Sequence, residues 1–204
     1  MTVLLLCAAH PVFGQQEPTI PLPQFVVTLD GAGFIPFDQS YRLNYKSSLL
    51  GLPVEWAASL GFPLNESLTS SIELRYRRRT AELLSDFRIT QLEITPGIRA
   101  YLEKPHPNDL RLYGSAGLLL VNSVASGSLS QTRDGTSPVT AQASKNYYNI
   151  GIALGLGIEY PFNNSSSLYG GLRVGVYFAD PVSTGGLGDA GGVSLGIGFR
   201  YAIY

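Results

Sequence analysis

The 204-residue chain has little of what normally covers a water-soluble protein. Charged residues make up 14% of it, against roughly 25% in ordinary soluble domains. Lysine occurs only as Lys46, Lys104 and Lys145. A surface so poor in lysine is not built to face water. The net charge is −1 and no large basic cluster is present, which argues against a nucleic-acid partner. Cysteine is limited to Cys7, which excludes a disulfide framework. The two histidines, His10 and His106, form no ligand cluster, so no metal and no cofactor are expected. No stretch reaches the roughly 18 to 20 apolar residues that a membrane helix needs. If the chain crosses a membrane it must close into a barrel, because in lipid only helices and barrels satisfy their own backbone hydrogen bonds.

What is present is glycine, 23 residues of it, and a strict period-two alternation. In NYYNIGIALGLGIEYPF one face carries Tyr148, Ile150, Ile152, Leu154, Leu156, Ile158, Tyr160 and Phe162. The other carries Asn149, Gly151, Ala153, Gly155, Gly157 and Glu159. Successive side chains of a strand point to opposite faces, so this is one long two-faced strand. The pattern repeats with Leu168, Leu172, Val174, Val176 and Phe178 against Tyr169, Gly171, Arg173, Gly175 and Tyr177. It recurs with Val193 through Ile203 against Ser194, Gly196, Gly198, Arg200 and Ala202. Apolar rows over Leu50–Phe62, Leu92–Leu102 and Leu110–Leu120, with segments around Phe25–Phe34 and Ser70–Thr80, complete eight strands. At roughly ten to fourteen residues these exceed the usual five or six of soluble strands. They suit a tilted membrane strand, which needs about nine to eleven.

The connections alternate in length. Short turns are expected near Pro63–Ser67, Glu103–Asp109 and Asn163–Ser167. Longer loops are expected near Pro36–Ser47, Ala81–Asp86, Ser123–Lys145 and Asp180–Ala190. The loop Ser123–Lys145 is serine-, threonine- and glycine-rich, with a turn at Arg133–Asp134–Gly135. Short turns at one end and long loops at the other place both termini in the periplasm of a bacterial outer-membrane barrel. The first residues fit that destination. MTVLLLCAAHPVFG reads as a signal peptide over 1–14, with Val12 and Gly14 preceding a cut before Gln15. Residues 15–23 are polar and proline-rich and read as a periplasmic leader, and 24–204 as the barrel.

A soluble barrel also alternates, with its apolar face inward. Here the opposite face is glycine, alanine and serine mixed with scattered charges, which suits the crowded interior of a narrow barrel. The bulky leucines, isoleucines and tyrosines suit lipid. The interior charges nearly balance: Asp30, Glu55, Glu73, Glu93 and Glu159 against Arg75, Arg77, Arg79, Arg99, Arg111, Arg173 and Arg200. Buried charges must be paired, and arginine can grip carboxylates bidentately. A salt-bridged plug is therefore expected, with an ion path as the alternative. Glu159 and Arg173 face inward from the sixth and seventh strands. Counted from the turn between them, they are expected at similar depth, within reach of each other or of a shared partner. In the run Arg77–Arg78–Arg79, the outer two are expected inside and Arg78 at the interface. Binding of lipopolysaccharide phosphates by this run is the competing reading.

Eight strands, this loop asymmetry and the aromatic-ended last segment GGVSLGIGFRYAIY resemble the OmpA/OmpX-type family of small outer-membrane barrels. Such a terminal strand resembles the signal read by the barrel-assembly machinery, although Tyr204 falls on the small-residue face. The resemblance implies an all-β, eight-stranded antiparallel up-and-down transmembrane barrel. Its partners would be outer-membrane lipid, including lipopolysaccharide, and the assembly machinery, and it would be a monomer. The chain ends with the barrel, so no periplasmic binding domain is expected. Barrels that modify lipid A need a base beside a serine near the outer leaflet. His10 lies in the signal and His106 in a periplasmic turn, so an enzyme is not expected. The function expected is structural or surface-interacting and porin-like in form only, with a charge-closed lumen. A narrow channel for small or apolar solutes is the alternative.

Overall fold

The computed structural model describes residues 21–37, 48–49, 52–80, 88–102, 108–131, 139–178 and 191–204. Its strands are β1 (Phe25–Pro36), β2 (Ser48–Leu49), β3 (Leu52–Asn65), β4 (Leu68–Thr80), β5 (Arg88–Tyr101), β6 (Arg111–Gln131), β7 (Val139–Pro161), β8 (Ser166–Tyr177) and β9 (Gly191–Ile203). Each long strand pairs antiparallel with its sequence neighbour, and β1 pairs with both β9 and β3. The sheet therefore closes into an eight-stranded barrel. The two-residue β2 only adds rungs against Leu52 and Pro53 of β3.

Side-chain alternation sets the faces. Along β7, Tyr148, Ile150, Leu154 and Leu156 are exposed while Asn149, Ala153 and Glu159 are buried. The same division holds around the wall. Trp56, Ile72, Leu92, Leu118, Leu172 and Ile197 point outward. So large an unbroken apolar surface has no place in water and fits the hydrocarbon of a bilayer. Aromatics gather toward both edges of the band: Tyr148 and Phe178 at the loop end, Phe62, Tyr160, Phe162 and Tyr201 at the turn end.

Two described turns are built by asparagine. The Asn163 side-chain oxygen accepts from the backbone N–H of Ser165 and of Ser166, both at 2.8 Å. Asn65 does the same for Ser67 at 2.9 Å. Such side-chain turns fix a tight reversal without a long loop.

Three expectations need correction or bounding. The loop Ser123–Lys145 is mostly strand: β6 and β7 remain paired from Ser123↔Tyr147 out to Gln131↔Val139. Pairing of β6 with β5 ends at Arg88↔Ser126, so the hairpin continues beyond the rim as a two-stranded ribbon. Serine, alanine and glycine alternate there without hydrophobic contrast, which hides a strand from periodicity. Second, the strand expected from Leu50 is described from Leu52 onward. Third, the signal segment, most of the leader, His106, Arg133–Gly135 and the three other long loops lie largely outside the described residues.

Candidate functional site

The inward face of the barrel is polar and filled. Glu55 and Glu159 are both 0% exposed, and each sits between two guanidinium groups. Cross-strand register accounts for part of this. Glu55 is directly opposite Arg77, and Arg111 directly opposite Glu159.

Toward the loop end, Glu55 accepts from Arg75 Nη1 at 2.6 Å and from Arg77 Nε at 2.8 Å. Arg77 also donates to Gln91 at 3.1 Å, and Gln91 to Ser123 at 3.0 Å. The Arg77 guanidinium lies 3.4 Å from the centre of the Phe34 ring. Arg75 continues the chain of contacts to Glu73 at 3.0 Å and to Asp30 at 3.6 Å. Arg173 is paired with Glu93, lies 3.7 Å from Glu73 and donates to Thr95 at 3.1 Å. Tyr177 donates to Glu93 at 3.2 Å.

Toward the turn end, Glu159 accepts from Tyr101, Arg111 and Arg200 at 2.7, 2.7 and 2.8 Å, and from Ser167. Tyr101, Tyr113 and Tyr169 form a run of rings with centroids 6.0 and 6.4 Å apart. Arg99 is held by aromatic faces, 4.5 Å from Tyr113 and 5.1 Å from Tyr169. Tyr169 donates to Asp30 at 2.8 Å.

The structure thus gathers Asp30, Glu55, Glu73, Arg75, Arg77, Glu93, Arg99, Arg111, Glu159, Arg173 and Arg200 into one lumen. Arg78 is exposed, and the Arg79 side chain lies outside the described residues. One pairing fails. Glu159 and Arg173 neither touch nor share a partner. The outermost rung beside the turn is Pro161↔Ser167, which places Tyr169, not Arg173, opposite Glu159. Arg173 lies four residues farther along the strand, about 13 Å at the rise of a β-strand. Counting from the turn missed how few residues β7 spends between Glu159 and its last rung.

Aromatic rings were not foreseen as part of the filling, apart from Tyr169 and Tyr177 on the inward face. Phe34, Tyr101 and Tyr113 share the inward parity of their strands, which was the signal available. The glycines opposite them serve as seats. Tyr113 lies against Gly157 and Gly171, Tyr169 against Gly198, and Phe34 against Gly192, leaving no room for a Cβ at any of these.

An up-and-down transmembrane barrel of eight strands with a packed polar lumen is the class these features define. No family model matches the chain, and no curated protein matches it in sequence. Solved structures do match its fold. Neisserial surface protein A superimposes with a TM-score of 0.57 at 17% identity, over 88% of this chain and 97% of that one. The outer membrane protein OprG from Pseudomonas aeruginosa gives 0.58 at 14% identity, over 90% and 97%. Both are small outer-membrane barrels, and the likeness is one of fold.

Proposed function

We propose that the protein is a non-enzymatic barrel of the bacterial outer membrane with a structural or surface-interaction role, its lumen closed by its own charged side chains. The observation that carries this reading is the complete burial of Glu55 and Glu159, each gripped by two arginines. Side chains so placed obstruct the narrow bore of an eight-stranded barrel. Ser167 and Thr95 sit beside carboxylates but are themselves buried, closed to a substrate. The ribbon at the end of β6 and β7 supports a surface role, since protruding segments on a rigid scaffold are where recognition concentrates. In this reading both termini face the periplasm, and the monomer is placed by the barrel-assembly machinery. Lipid, including lipopolysaccharide, meets the apolar band, with Arg78 at its rim.

Planar-bilayer recording tests the reading. The unmutated protein should give no conductance steps. Regular steps would transfer the assignment to a narrow channel for small solutes. One observation favours that second reading, namely an unfilled space between the two charge clusters.

A further inference from the structure

On the outside of the barrel, the wall over β4 to β7 changes character in three steps toward its loop end. The deepest of these rows is Leu74, Ile94, Leu120 and Ile150, all aliphatic and all exposed. The next row is Tyr76, Leu92, Asn122 and Tyr148. The one nearest the loops is Arg78, Thr90, Val124 and Asn146. Successive rows lie two residues apart along each strand, about 7 Å. Aromatic girdles mark the level where hydrocarbon gives way to headgroups. The two tyrosines put the middle row at that level, so Arg78 stands among headgroups and Asn122 at the boundary.

Both polar groups lack partners. Arg78 is exposed and makes no ion pair among the described residues. The Asn122 side-chain oxygen is buried and has no hydrogen-bond partner. An unpartnered amide against lipid is costly, because no water is there to serve it. A guanidinium at headgroup level suits a phosphate. The amide carries an acceptor and two donors, and a half-turn presents either, so it suits a group that also donates and accepts. An acyl-amide does both, whereas an ester only accepts. The two residues stand on strands two apart, about 10 Å, a span for a sugar headgroup more than for a single glycerol. We propose that this face binds one outer-leaflet phosphoglycolipid with amide-linked acyl chains. Its phosphate meets Arg78, an acyl-amide meets Asn122, and its chains lie along the aliphatic row. The proposal rests on the outer-membrane reading above and names the lipid that this side of the barrel selects.

The test uses two lipids that share a phosphate and differ below it. The full chain, folded in detergent micelles, is titrated with lipid A, which has acyl-amides, or with phosphatidylglycerol, which has esters alone. Bound lipid is counted by native mass spectrometry. The unmutated barrel should retain one lipid A and prefer it to phosphatidylglycerol. Arg78→Gln should weaken retention of lipid A about tenfold, the loss of one charge-assisted contact. Asn122→Leu should keep the attraction to phosphate and lose the preference between the two lipids. Equal retention of both lipids by the unmutated barrel would overturn the proposal, as would indifference to either substitution. Both changes lie on the outer wall, and gel mobility confirms folding. A second measurement needs no retained lipid. In phosphatidylcholine vesicles Asn122→Leu should raise the urea midpoint, since it removes an unpartnered amide from the lipid face. With lipid A in the vesicles that advantage should shrink, and an unchanged advantage would show that Asn122 meets no lipid group. The two possible failures are distinct. An inserted barrel that ignores lipid A sinks this site alone, whereas a chain that stays folded in water without detergent sinks the outer-membrane reading beneath it.

Discussion

Glu159 accepts hydrogen bonds from side chains on β5, β6, β8 and β9 while wholly buried. Its removal leaves Arg111 and Arg200 without their shared carboxylate. Stranding a buried charge costs about 3 to 5 kcal/mol, less where water can enter. Glu159→Ala should therefore destabilise the barrel strongly, read by urea unfolding in lipid. The cycle Glu159→Ala/Arg200→Ala should be non-additive by at least about 0.5 kcal/mol. Glu159→Ala with Arg173→Ala should be additive within about 0.5 kcal/mol, because the two touch no common partner. Coupling in the second cycle, or none in the first, would contradict the geometry. At this scale the sequence disclosed which charges face inward, since parity decides that. It did not disclose which arginine meets which carboxylate. That depends on strand register and on how each long side chain crosses the lumen, and neither leaves a local mark.

Each face of a strand has its own mode of failure. Leu154 stands in the apolar row of β7 and is 56% exposed. Leu154→Arg should cost about 2 to 4 kcal/mol if it lies near the bilayer midplane, measured as the shift in folding equilibrium into vesicles. An unchanged equilibrium would place that row away from lipid. The β6–β7 hairpin makes a contrasting case. Ser126 is paired with Ser144, so residues 127–143 can be excised and replaced by Asn-Gly, a favoured two-residue turn. The shortened barrel should keep its gel mobility and thermal stability. Loss of folding would mean that the ribbon packs into the barrel. The last three staves were legible because apolar residues alternate cleanly with small or polar ones, and the earlier ones less cleanly, from the apolar rows on their outward faces. The ribbon was not, because both of its faces are built from small and polar residues.

For the whole molecule, closure was legible from an indirect argument: strands too long for a soluble sheet, too little charge for a wetted one, and no membrane helix. Among the described residues no helix is long and apolar enough to cross a membrane, and the sheet closes through β1 and β3. The folded protein should require detergent for extraction and migrate faster unheated than boiled. A folded monomer recovered in a detergent-free soluble fraction would refute the assignment of the apolar band to lipid.

The polar ties across the lumen join strands far apart in sequence. Tyr169 on β8 reaches Asp30 on β1, and Arg173 on β8 reaches Glu93 on β5. Each spans at least one intervening strand, so none can form while that part of the sheet is flat. A half-built, flat sheet entering the bilayer would turn its carboxylates and guanidiniums toward hydrocarbon, at a cost of about 2 to 4 kcal/mol for each arginine near the midplane. Such a route is closed by energy before it begins. Insertion and curling must advance together, the inner face keeping to water until the first and last staves meet. The side chains that fill the finished interior thereby also dictate the order in which the protein can come into being.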